Sequence, residues 1–435
     1  MYGILKNKLE DKTAKIGVIG LGYVGLPLAV AFAEEGFEVY GIDIGIKRVN
    51  SIKQGKSYIL DVPSEKLEKL VSSGLLNATS NYRVVKKLDA IIICVPTPLG
   101  KTKEPDISFI VSAVDDIIKN RRKGQLYILE STTYPGTTEE ILLPKFKKGS
   151  YRIDRDFFLA FSPERVDPSN RIYTTNNIPK VVGGVTKKST MAAKLLYNNI
   201  VDEVIDVSSS KVAEMAKLLE NTFRSVNIGL VNELALMCEK LHVNVWEVIN
   251  AAKTKPFGFM PFYPGPGIGG HCINIDPLYL SWKARLHGFE SRFIELADGI
   301  NSGMPQYVVR RVIRALNERG KSVKGSRVAV LGASYKKDVD DMRESPSLEI
   351  MRLLSEEGAA VSYCDPYVSS LKMDGKVVTS SILKRDFLKK QDCVILATDH
   401  DAFEYPMIKD NAKLIFDTRN AFADRDLAGK NIMAL

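Results

Sequence analysis

A glycine turn between two short apolar runs restricts how the N-terminal part of this chain can fold. The run KIGVIG at 15–20 leads into GLGYVG at 20–25, and a helical pattern at 26–35 is followed by EVYGID at 38–43. The first glycine permits a tight turn, the second lets backbone approach a pyrophosphate, and the third lets the helix pack on the strand. The pattern predicts a dinucleotide-binding Rossmann unit. Its predicted cofactor residues are Gly20, Gly22, Tyr23, Val24, Gly25 and Asp43.

The acid that ends the second run bears on which dinucleotide binds. Asp43 lies at the distance from the glycines where a carboxylate accepts the ribose hydroxyls. A carboxylate there also repels a 2'-phosphate. We therefore predict NAD as the cofactor rather than NADP.

Further short apolar runs follow at 89–95, 126–132, 157–161 and 180–183. Runs of this kind, separated by helical or loop segments, are typical of buried parallel strands. Three of them end in or are followed by polar residues, namely Thr97, Thr132 and Glu164. Ligands bind at the carboxyl ends of parallel strands, so all three are candidate site residues. Each could equally be an ordinary turn or cap residue.

The pattern changes to long helices from about 208 to 318. Serines at 208–210 can cap a helix. Its apolar positions recur at helical spacing and are Val212, Met215, Leu219, Phe223 and Val226. Lys217 and Asn221 are four residues apart and share a face displaced from this stripe, so they either point into one cleft or form a solvated pair. We also expect this region to form the interface of a homodimer.

A glycine- and proline-rich stretch at 255–282 surrounds a single cysteine. Its glycines and prolines between 261 and 270 predict tight turns in which backbone comes close to a ligand. Cys272 follows, with Asp276 four residues later. A thiol on a loop with polar neighbours is typical of a nucleophile, whereas a lone cysteine is otherwise a small buried hydrophobe.

The C-terminal part returns to apolar runs, at 326–332, 360–365, 392–398 and 413–417. They predict a second Rossmann-like domain that lacks GxGxxG. Lys336 and Arg343 follow its first strand and Arg419 its last, and such side chains suit phosphate, although an exposed loop is the alternative. The predicted fold is α/β, with two Rossmann-like doubly wound parallel-sheet domains joined by a central helical domain. The expected bounds are 1–207, 208–322 and 323–435.

Length and composition exclude several classes of protein. A chain of 435 residues supports two or three domains. The net charge of +9 is spread along the chain without aromatic-interleaved basic motifs, so it reflects either general surface solvation or a small phosphate-bearing ligand rather than nucleic acid. No apolar run is long enough to span a bilayer and no signal peptide is recognisable. Five cysteines without paired spacing fit a reducing compartment, and four scattered histidines predict no metal site. We expect a cytoplasmic protein.

Six motifs along the chain carry a family resemblance. They are GLGYVGLP from Gly20, VPTP from Val95, SPER from Ser162, KLLENTFR from Lys217, PGPGIGGHC from Pro264 and DDMRESP from Asp340. Together they resemble the UDP-glucose and UDP-N-acetylhexosamine 6-dehydrogenase family over nearly the whole chain. The resemblance implies an NAD-dependent four-electron oxidation of the sugar C6 alcohol to a carboxylate, through an aldehyde and a cysteine thioester. The product would feed surface polysaccharide synthesis.

The resemblance also implies residue roles. Cys272 is the nucleophile, Asp276 its acid–base partner, and Lys217 and Asn221 hold the oxyanion and a water. Glu164 takes part in acid–base chemistry. Thr97 and Thr132 approach the nicotinamide. The implied UDP-sugar site comprises Arg165, Lys217, Tyr263, Gly267, Gly269, Lys336, Arg343 and Arg419. One position departs from the UDP-glucose branch, where a second glutamate commonly stands four residues after Glu164 and this chain has Pro168.

The expected substrate is a UDP-N-acetylhexosamine. The motif GGHC at 269–272 resembles that branch of the family, whereas members that act on UDP-glucose tend to carry GGYC or GGFC. The aromatic stretch at 257–264 resembles enzymes for UDP-N-acetylglucosamine, with UDP-N-acetylmannosamine and UDP-glucose as alternatives. These aromatics can wall the acetamido methyl or only pack under the loop. A two-electron hydroxyacid dehydrogenase would explain the glycine turn but not Cys272. A non-catalytic nucleotide-sugar-binding protein would not need Cys272, Lys217 and Asp276 together.

Overall fold

The computed structural model describes residues 1–435 apart from Leu60, 101–103, 167–171, His271 and Asp374. The chain divides into two compact units. The first comprises Met1–Glu220 with Trp282–Gly288, and the second comprises Asn221–Ser281 with Phe289–Leu435.

The first unit is built on an eight-stranded sheet. Its strands are β1 (Lys15–Ile19), β2 (Glu38–Ile42), β3 (Leu76–Thr79), β4 (Ala90–Ile93), β5 (Gln125–Leu129), β6 (Phe157–Phe161), β7 (Lys180–Gly184) and β8 (Val204–Val207). The sheet order is β3-β2-β1-β4-β5-β6-β7-β8. Every residue of β4, β5 and β6 is buried, as expected for strands covered on both faces.

Helices pack on this sheet and complete two hydrophobic cores. They are α1 (Tyr2–Glu10), α2 (Gly25–Glu34), α3 (Ile46–Lys53), α4 (Ser64–Ser72), α5 (Ser108–Asn120), α6 (Leu143–Phe146) and α7 (Lys187–Tyr197). Helix α2 begins at the third glycine of the turn and buries eight of its ten residues. The glycine turn therefore lies between a buried strand and a buried helix, as the sequence predicts.

Two strands of this sheet, β7 and β8, run opposite to the other six, against the expectation of parallel strands. The run at 180–183 forms β7, which pairs antiparallel with β6. A parallel neighbour needs a crossover connection, usually through a helix. The described residues between β6 and β7 form no helix. Because β7 is antiparallel to β6, it begins at the edge of the sheet where β5 and β6 end.

Long helices occupy the middle of the chain. Helix α8 (Ser210–Leu241) is continuous, and it is followed by α9 (Val245–Ala252), α10 (Cys272–Arg285) and α11 (Arg292–Asn317). The part of α8 up to Glu220 belongs to the first unit and the part from Asn221 to the second. The predicted helical region is thus present. None of the helices in the described part of the chain has the length and apolar composition that a membrane span requires.

The second unit also contains a five-stranded parallel sheet. Its strands are β9 (Arg327–Leu331), β10 (Ala360–Cys364), β13 (Cys393–Leu396), β14 (Ile415–Asp417) and β15 (Ile432–Ala434), in the order β10-β9-β13-β14-β15. A hairpin of β11 (Ser370–Met373) and β12 (Lys376–Thr379) lies outside this sheet. The accompanying helices are α12 (Pro346–Glu356), α13 (Arg385–Lys390) and α14 (Tyr405–Asn411). The predicted α/β architecture with a central helical region is confirmed.

Candidate active site

The glycine turn after β1 has the geometry that a dinucleotide needs. Gly20 has φ +89°, and a Cβ there would lie 2.5 Å from the carbonyl oxygen of Cys94. A Cβ on Gly25 would lie 1.8 Å from the carbonyl oxygen of Gly20, so helix and strand are in close contact there. A Cβ on Gly22 would meet nothing within 4 Å. The backbone at Gly22 therefore borders open space, where a pyrophosphate can approach it.

Asp43 lies directly beside this turn. It follows β2 and is only 5% exposed. Its Oδ2 accepts a hydrogen bond of 2.8 Å from the Leu21 N–H, and its Oδ1 accepts one of 2.7 Å from the Gly45 N–H. Arg48 Nη1 lies 3.4 Å from Oδ2. Tyr23 and Val24 immediately precede α2, and Tyr23 is exposed. The residues present thus fit NAD at this turn.

Replacing Asp43 with alanine tests the cofactor assignment. We expect Asp43→Ala to raise the Michaelis constant for NAD on the order of tenfold, because a hydrogen bond to a charged group contributes about 1.5–3 kcal/mol. Discrimination against NADP should weaken, because the repulsion of the 2'-phosphate is lost. Steady-state kinetics with both cofactors measure this. Glu38→Ala, at the opposite end of β2, is the matched control. An unchanged preference for NAD in Asp43→Ala would place the ribose elsewhere.

The other predicted residues of the first unit follow neighbouring strands. Thr97 comes after β4, Thr132 after β5 and Glu164 after β6, and these strands are adjacent in the sheet. The segment after β5 is tied to the one after β4, because Ser131 Oγ donates to the Val95 carbonyl oxygen at 2.7 Å. Thr97 is buried and Thr132 is half-buried. The structure therefore brings these segments to one edge, as the sequence predicts.

Glu164 is fixed by three donors. Its Oε1 accepts from the N–H groups of Arg165 and Val166 at 2.7 Å each, and its Oε2 lies 3.1 Å from Lys180 Nζ. Burial opposes ionisation, but the charge of Lys180 and these hydrogen bonds outweigh it and lower the pKa of Glu164 to about 2. Arg165 bonds to the Pro179 carbonyl oxygen at 2.7 Å and pairs with Glu220 at 2.8 Å. Glu164 is thus a carboxylate at all ordinary pH values.

Glu214, on α8, is a buried carboxylate that sequence reasoning missed. It accepts from the Gly136 N–H at 2.5 Å, and from the Thr138 N–H and hydroxyl at 2.9 and 2.6 Å. Burial raises its pKa to about 7. It therefore fixes α8 to the segment that follows Thr132. Lys217 lies one helical turn further along α8 and is half-buried. An acidic residue three positions before a lysine is common in helices, so the sequence offered no reason to select Glu214.

Cys272 is the first residue of α10, which corrects the expectation that it lies on a loop. Gly270, in the last of the turns, has φ +84°, and α10 is described from Cys272 onward. Cys272 is exposed. A helix N-terminus favours negative charge, so this position suits a thiolate. The structure thus gives the cysteine a rigid support.

Asp276 lies one turn after Cys272 on α10 and is 1% exposed. Its Oδ2 accepts a hydrogen bond from Asn221 Nδ2 of α8. Two predicted site residues that are 55 positions apart in sequence therefore contact each other within the second unit. The amide holds the carboxylate in one orientation, next in sequence to the turn that carries the cysteine.

The glycine-rich turns pack against the segment after β9. A Cβ on Gly269 would lie 2.3 Å from Tyr335 Cβ, and one on Gly270 would lie 2.9 Å from the Tyr335 ring. The Gly270 N–H donates to the Arg343 carbonyl oxygen at 2.9 Å. Gly267 has φ +129° and lies against Pro346. These positions exclude side chains, because Tyr335 and Pro346 occupy the space that a Cβ would need.

Two buried asparagines, not anticipated from sequence, hold the start of these turns. Asn232 Oδ1 accepts from the Gly265 N–H at 3.0 Å, and Asn232 Nδ2 donates to Asn301 Oδ1 at 2.8 Å. Asn301 Nδ2 donates in turn to the Ser225 carbonyl oxygen at 3.1 Å. The network ties the turns to α8 and α11. Asparagines within a helical pattern are common, so nothing in the sequence distinguished these two.

The predicted basic residues of the second unit differ in their surroundings. Arg419 Nε donates to the Ala397 carbonyl oxygen at 2.9 Å, and a Cβ on Gly265 would lie 2.9 Å from Arg419 Nη1. The Arg343 guanidinium pairs with Asp341, with Nη2 and Oδ2 2.6 Å apart. Lys336 is half-buried beside Tyr335. Arg419 and Arg343 thus both border the glycine-rich turns, the latter through its carbonyl group.

The aromatic stretch is only partly packed. Tyr263 stacks on Trp246 of α9 with centroids 6.0 Å apart, and its hydroxyl donates to Asn250 Oδ1 at 3.2 Å. Phe257 and Phe259 are 71% and 41% exposed. The stretch therefore presents aromatic surface rather than only filling the core. His271 of the GGHC motif and Pro168 lie outside the described residues.

Comparison with known proteins covers both units. Three segments match domains of the UDP-glucose/GDP-mannose dehydrogenase family: the NAD binding domain at residues 14–201, the central domain at 211–303 and the UDP binding domain at 329–424. These matches include the C-terminal domain and the Cys272 region. The alternative function, a hydroxyacid dehydrogenase, does not account for either of them.

Individual relatives agree with the domain matches. A UDP-N-acetyl-D-glucosamine 6-dehydrogenase of Pseudomonas aeruginosa is 39% identical, with 82% of this chain and 84% of that protein covered. A UDP-N-acetyl-D-mannosamine dehydrogenase of Methanococcus maripaludis is 38% identical, with 93% and 92% covered. The solved UDP-D-ManNAc dehydrogenase of Pyrococcus horikoshii superposes with TM-score 0.87 at 32% identity, with 97% and 98% covered.

The domain matches also bear on the cofactor and on the class of reaction. The first matched domain is the family's NAD binding domain, which confirms the predicted cofactor. The glycine turn and Asp43 fit that group in the structure. The chain belongs to the UDP-glucose/GDP-mannose dehydrogenase family and is an NAD-dependent nucleotide-sugar dehydrogenase.

Proposed function

We propose that this chain oxidises the C6 hydroxyl of UDP-N-acetylglucosamine to the carboxylate through a thioester on Cys272. The observation that carries the proposal is the exposed start of α10, where Cys272 lies one turn before Asp276, which is buried and bonded to Asn221. A nucleophile on a rigid helix start, with a carboxylate on the next turn, suits covalent catalysis. The uronic acid product would serve surface polysaccharide synthesis.

The chemistry divides into a sequence of simpler steps. The C6 alcohol is first oxidised to the aldehyde. The Cys272 thiolate then adds to the aldehyde carbon and forms a hemithioacetal, which is oxidised to the thioester. Water cleaves the C–S bond, releasing the carboxylate and returning the thiolate. NAD supplies the hydride acceptor in both oxidation steps.

The proposed roles follow from charge and hydrogen bonding. Asp276 accepts protons from the thiol or the attacking water, while Asn221 holds its carboxylate in place. The Lys217 ammonium stabilises the oxyanion as it forms, and Glu164 is a second carboxylate for proton transfer. Thr97 and Thr132 lie toward the nicotinamide.

The UDP-sugar is assigned to the remaining predicted residues. They are Arg165, Tyr263, Gly267, Gly269, Lys336, Arg343 and Arg419. A guanidinium such as that of Arg419 can bind phosphate oxygens by two parallel hydrogen bonds. The domain assignment proposed with these roles is NAD binding at 1–207, the helical region with the cysteine at 208–322 and UDP-sugar binding at 323–435.

Relatives of both N-acetylhexosamine specificities resemble this chain, so the preference for glucosamine rests on the aromatic stretch. Phe257 and Phe259 leave aromatic surface exposed. Such surface can wall the acetamido methyl while turn backbone hydrogen-bonds the amide.

Side-by-side kinetics on three nucleotide sugars test the preferred substrate. We expect kcat/KM to be highest for UDP-N-acetylglucosamine, lower for UDP-N-acetylmannosamine and poor for UDP-glucose, because only the first two fill an acetamido site. NADH formation at saturating NAD measures all three. A highest kcat/KM for UDP-glucose would refute the substrate assignment and leave the thioester chemistry standing.

A homodimer is the second part of the proposal. Four apolar side chains of α8 lie at helical spacing on one face and are 40–60% exposed, namely Val212, Met215, Leu219 and Phe223. An apolar stripe of this kind on a long helix is typical of a subunit interface. A second copy of the chain is its proposed partner.

Charge on this stripe should dissociate the dimer. We expect the wild-type protein to show twice the mass of one chain by light scattering and Leu219→Glu to show the mass of one, because a carboxylate in an apolar interface is left without a partner. Ile382→Glu replaces an exposed apolar residue outside α8 and should remain dimeric. A monomeric wild-type protein would contradict the proposal.

A further inference from the structure

Two carboxylates, the buried Glu130 and the half-buried Glu164, share one lysine in the first unit. Lys180 Nζ donates to Glu130 Oε1 and, at 3.1 Å, to Glu164 Oε2. The second oxygen of Glu130 accepts from the Tyr197 hydroxyl. The side chains of Lys180 and Glu130 are 5% and 0% exposed. Four ionisable groups are thus in contact, and all of them except Glu164 are buried.

The reversed direction of β7 is what brings them together. Glu130 follows β5, Glu164 follows β6, and Lys180 is the first residue of β7. Because β7 is antiparallel to β6, its first residue lies at the edge where β5 and β6 end. A parallel β7 would have placed Lys180 at the opposite edge. The antiparallel direction of β7 therefore places the Lys180 ammonium beside the Glu164 carboxylate.

The charges of this cluster do not cancel when every group is ionised, since one ammonium faces two carboxylates. An uncompensated buried charge is costly, so one carboxylate should hold a proton. Burial raises the pKa of Glu130 to about 7, although Lys180 opposes this, whereas the pKa of Glu164 is about 2. Glu130 is therefore the carboxylate that changes charge near neutral pH.

The other groups that face Glu130 keep their protons there. Burial raises the pKa of the Cys94 thiol, just after β4, and of the Tyr197 phenol, on α7. Burial opposes the charge of Lys180, but the two carboxylates raise its pKa. Cys94 and Tyr197 thus stay neutral and Lys180 stays charged while Glu130 titrates.

We propose that Glu130 is a positioning residue for Glu164, acting through Lys180, and that turnover rises when Glu130 loses its proton. The inference rests on the acid–base role proposed for Glu164. When Glu130 is protonated, the Lys180 ammonium interacts mainly with the Glu164 carboxylate. It stabilises the negative charge of Glu164, which makes Glu164 a weak base. Ionised Glu130 draws the ammonium toward itself and adds a negative charge nearby. Glu164 then accepts a proton more readily.

The pH profile of kcat tests this with two variants. Wild-type kcat should rise through about pH 7, where Glu130 titrates. Glu130→Gln keeps the size and an acceptor oxygen but cannot ionise. The rise should be absent in this variant. At pH values above the wild-type rise, its kcat should be on the order of tenfold below that of the wild type, which is the effect of lowering the pKa of a base by about one unit. KM should change little.

Tyr197→Phe keeps the carboxylate but removes a hydrogen bond to its ionised form, so the rise should move to higher pH. If instead both variants only lower the melting temperature and keep the wild-type profile, Glu130 has a purely structural role and the proposal is overturned. If Glu130→Gln does not fold, the pH at which kcat rises in Tyr197→Phe tests the proposal instead: a shift to higher pH supports it, and an unchanged pH overturns it.

Glu164→Gln separates this inference from the function on which it rests. Loss of activity in Glu164→Gln together with a wild-type profile in Glu130→Gln overturns the inference alone. Wild-type activity in Glu164→Gln overturns the acid–base role of Glu164 and the inference with it. Loss of activity in Glu164→Gln together with a lost rise in Glu130→Gln supports both.

Discussion

Cys272→Ser should reduce kcat by on the order of a thousandfold or more, the scale expected when a covalent nucleophile is removed. A serine hydroxyl at the start of α10 occupies nearly the same space but is not ionised at neutral pH. It therefore cannot add to the aldehyde as a thiolate does. Binding of NAD and of the nucleotide sugar, measured by calorimetry, should remain close to wild type.

Cys238→Ser is the matched control for this variant. Cys238 is buried in the core formed by α8 and α9, in the same unit as Cys272. The substitution is chemically identical, so turnover should stay close to wild type although stability can fall. Full turnover in Cys272→Ser would exclude the thioester and would leave the family membership untouched.

The second large effect is expected from Asp276→Asn. The asparagine oxygen can still accept the hydrogen bond from Asn221, so the local structure should persist. The base is lost, and kcat should fall on the order of 100- to 1000-fold, as is typical when a general base is removed. Single-turnover measurements should show that hydrolysis or thiol addition is slowed while substrate affinity is retained.

Glu290→Gln provides the comparison for Asp276→Asn. It makes the same carboxylate-to-amide change at an exposed position between α10 and α11. Its kinetics should match those of the wild type. If Asp276→Asn also turned over at the wild-type rate, the proton acceptor would have to be another group.

Much of the fold could be predicted because its signals are local. The glycine turn, the buried runs of β4 to β6 and the helical periodicity of α8 each depend on a few neighbouring residues. The direction of β7 could not be predicted, because it depends on how the chain returns after β6. Very short strands, such as the three-residue β15, likewise gave no distinct signal.

The candidate site was predictable to a similar degree. Cys272 and Asp276 could be selected from their spacing after the glycine-rich turns. The helix that carries them was not predicted, because the glycines and prolines before it indicated a loop. The Asp276–Asn221 contact joins residues far apart in the chain and appears only in three dimensions. Lys180 could have drawn attention, since a lysine that begins an apolar run needs a buried partner, but its partners Glu130 and Glu164 are 50 and 16 residues away.

The ratio of NADH formed to nucleotide sugar consumed tests the central claim most directly. The assay uses limiting UDP-N-acetylglucosamine, excess NAD and the purified full chain, with the remaining sugar quantified by chromatography. Two NADH per sugar, with the uronic acid as product, is the result that a four-electron oxidation through Cys272 predicts. One NADH per sugar, with an aldehyde or ketone as product, would contradict it.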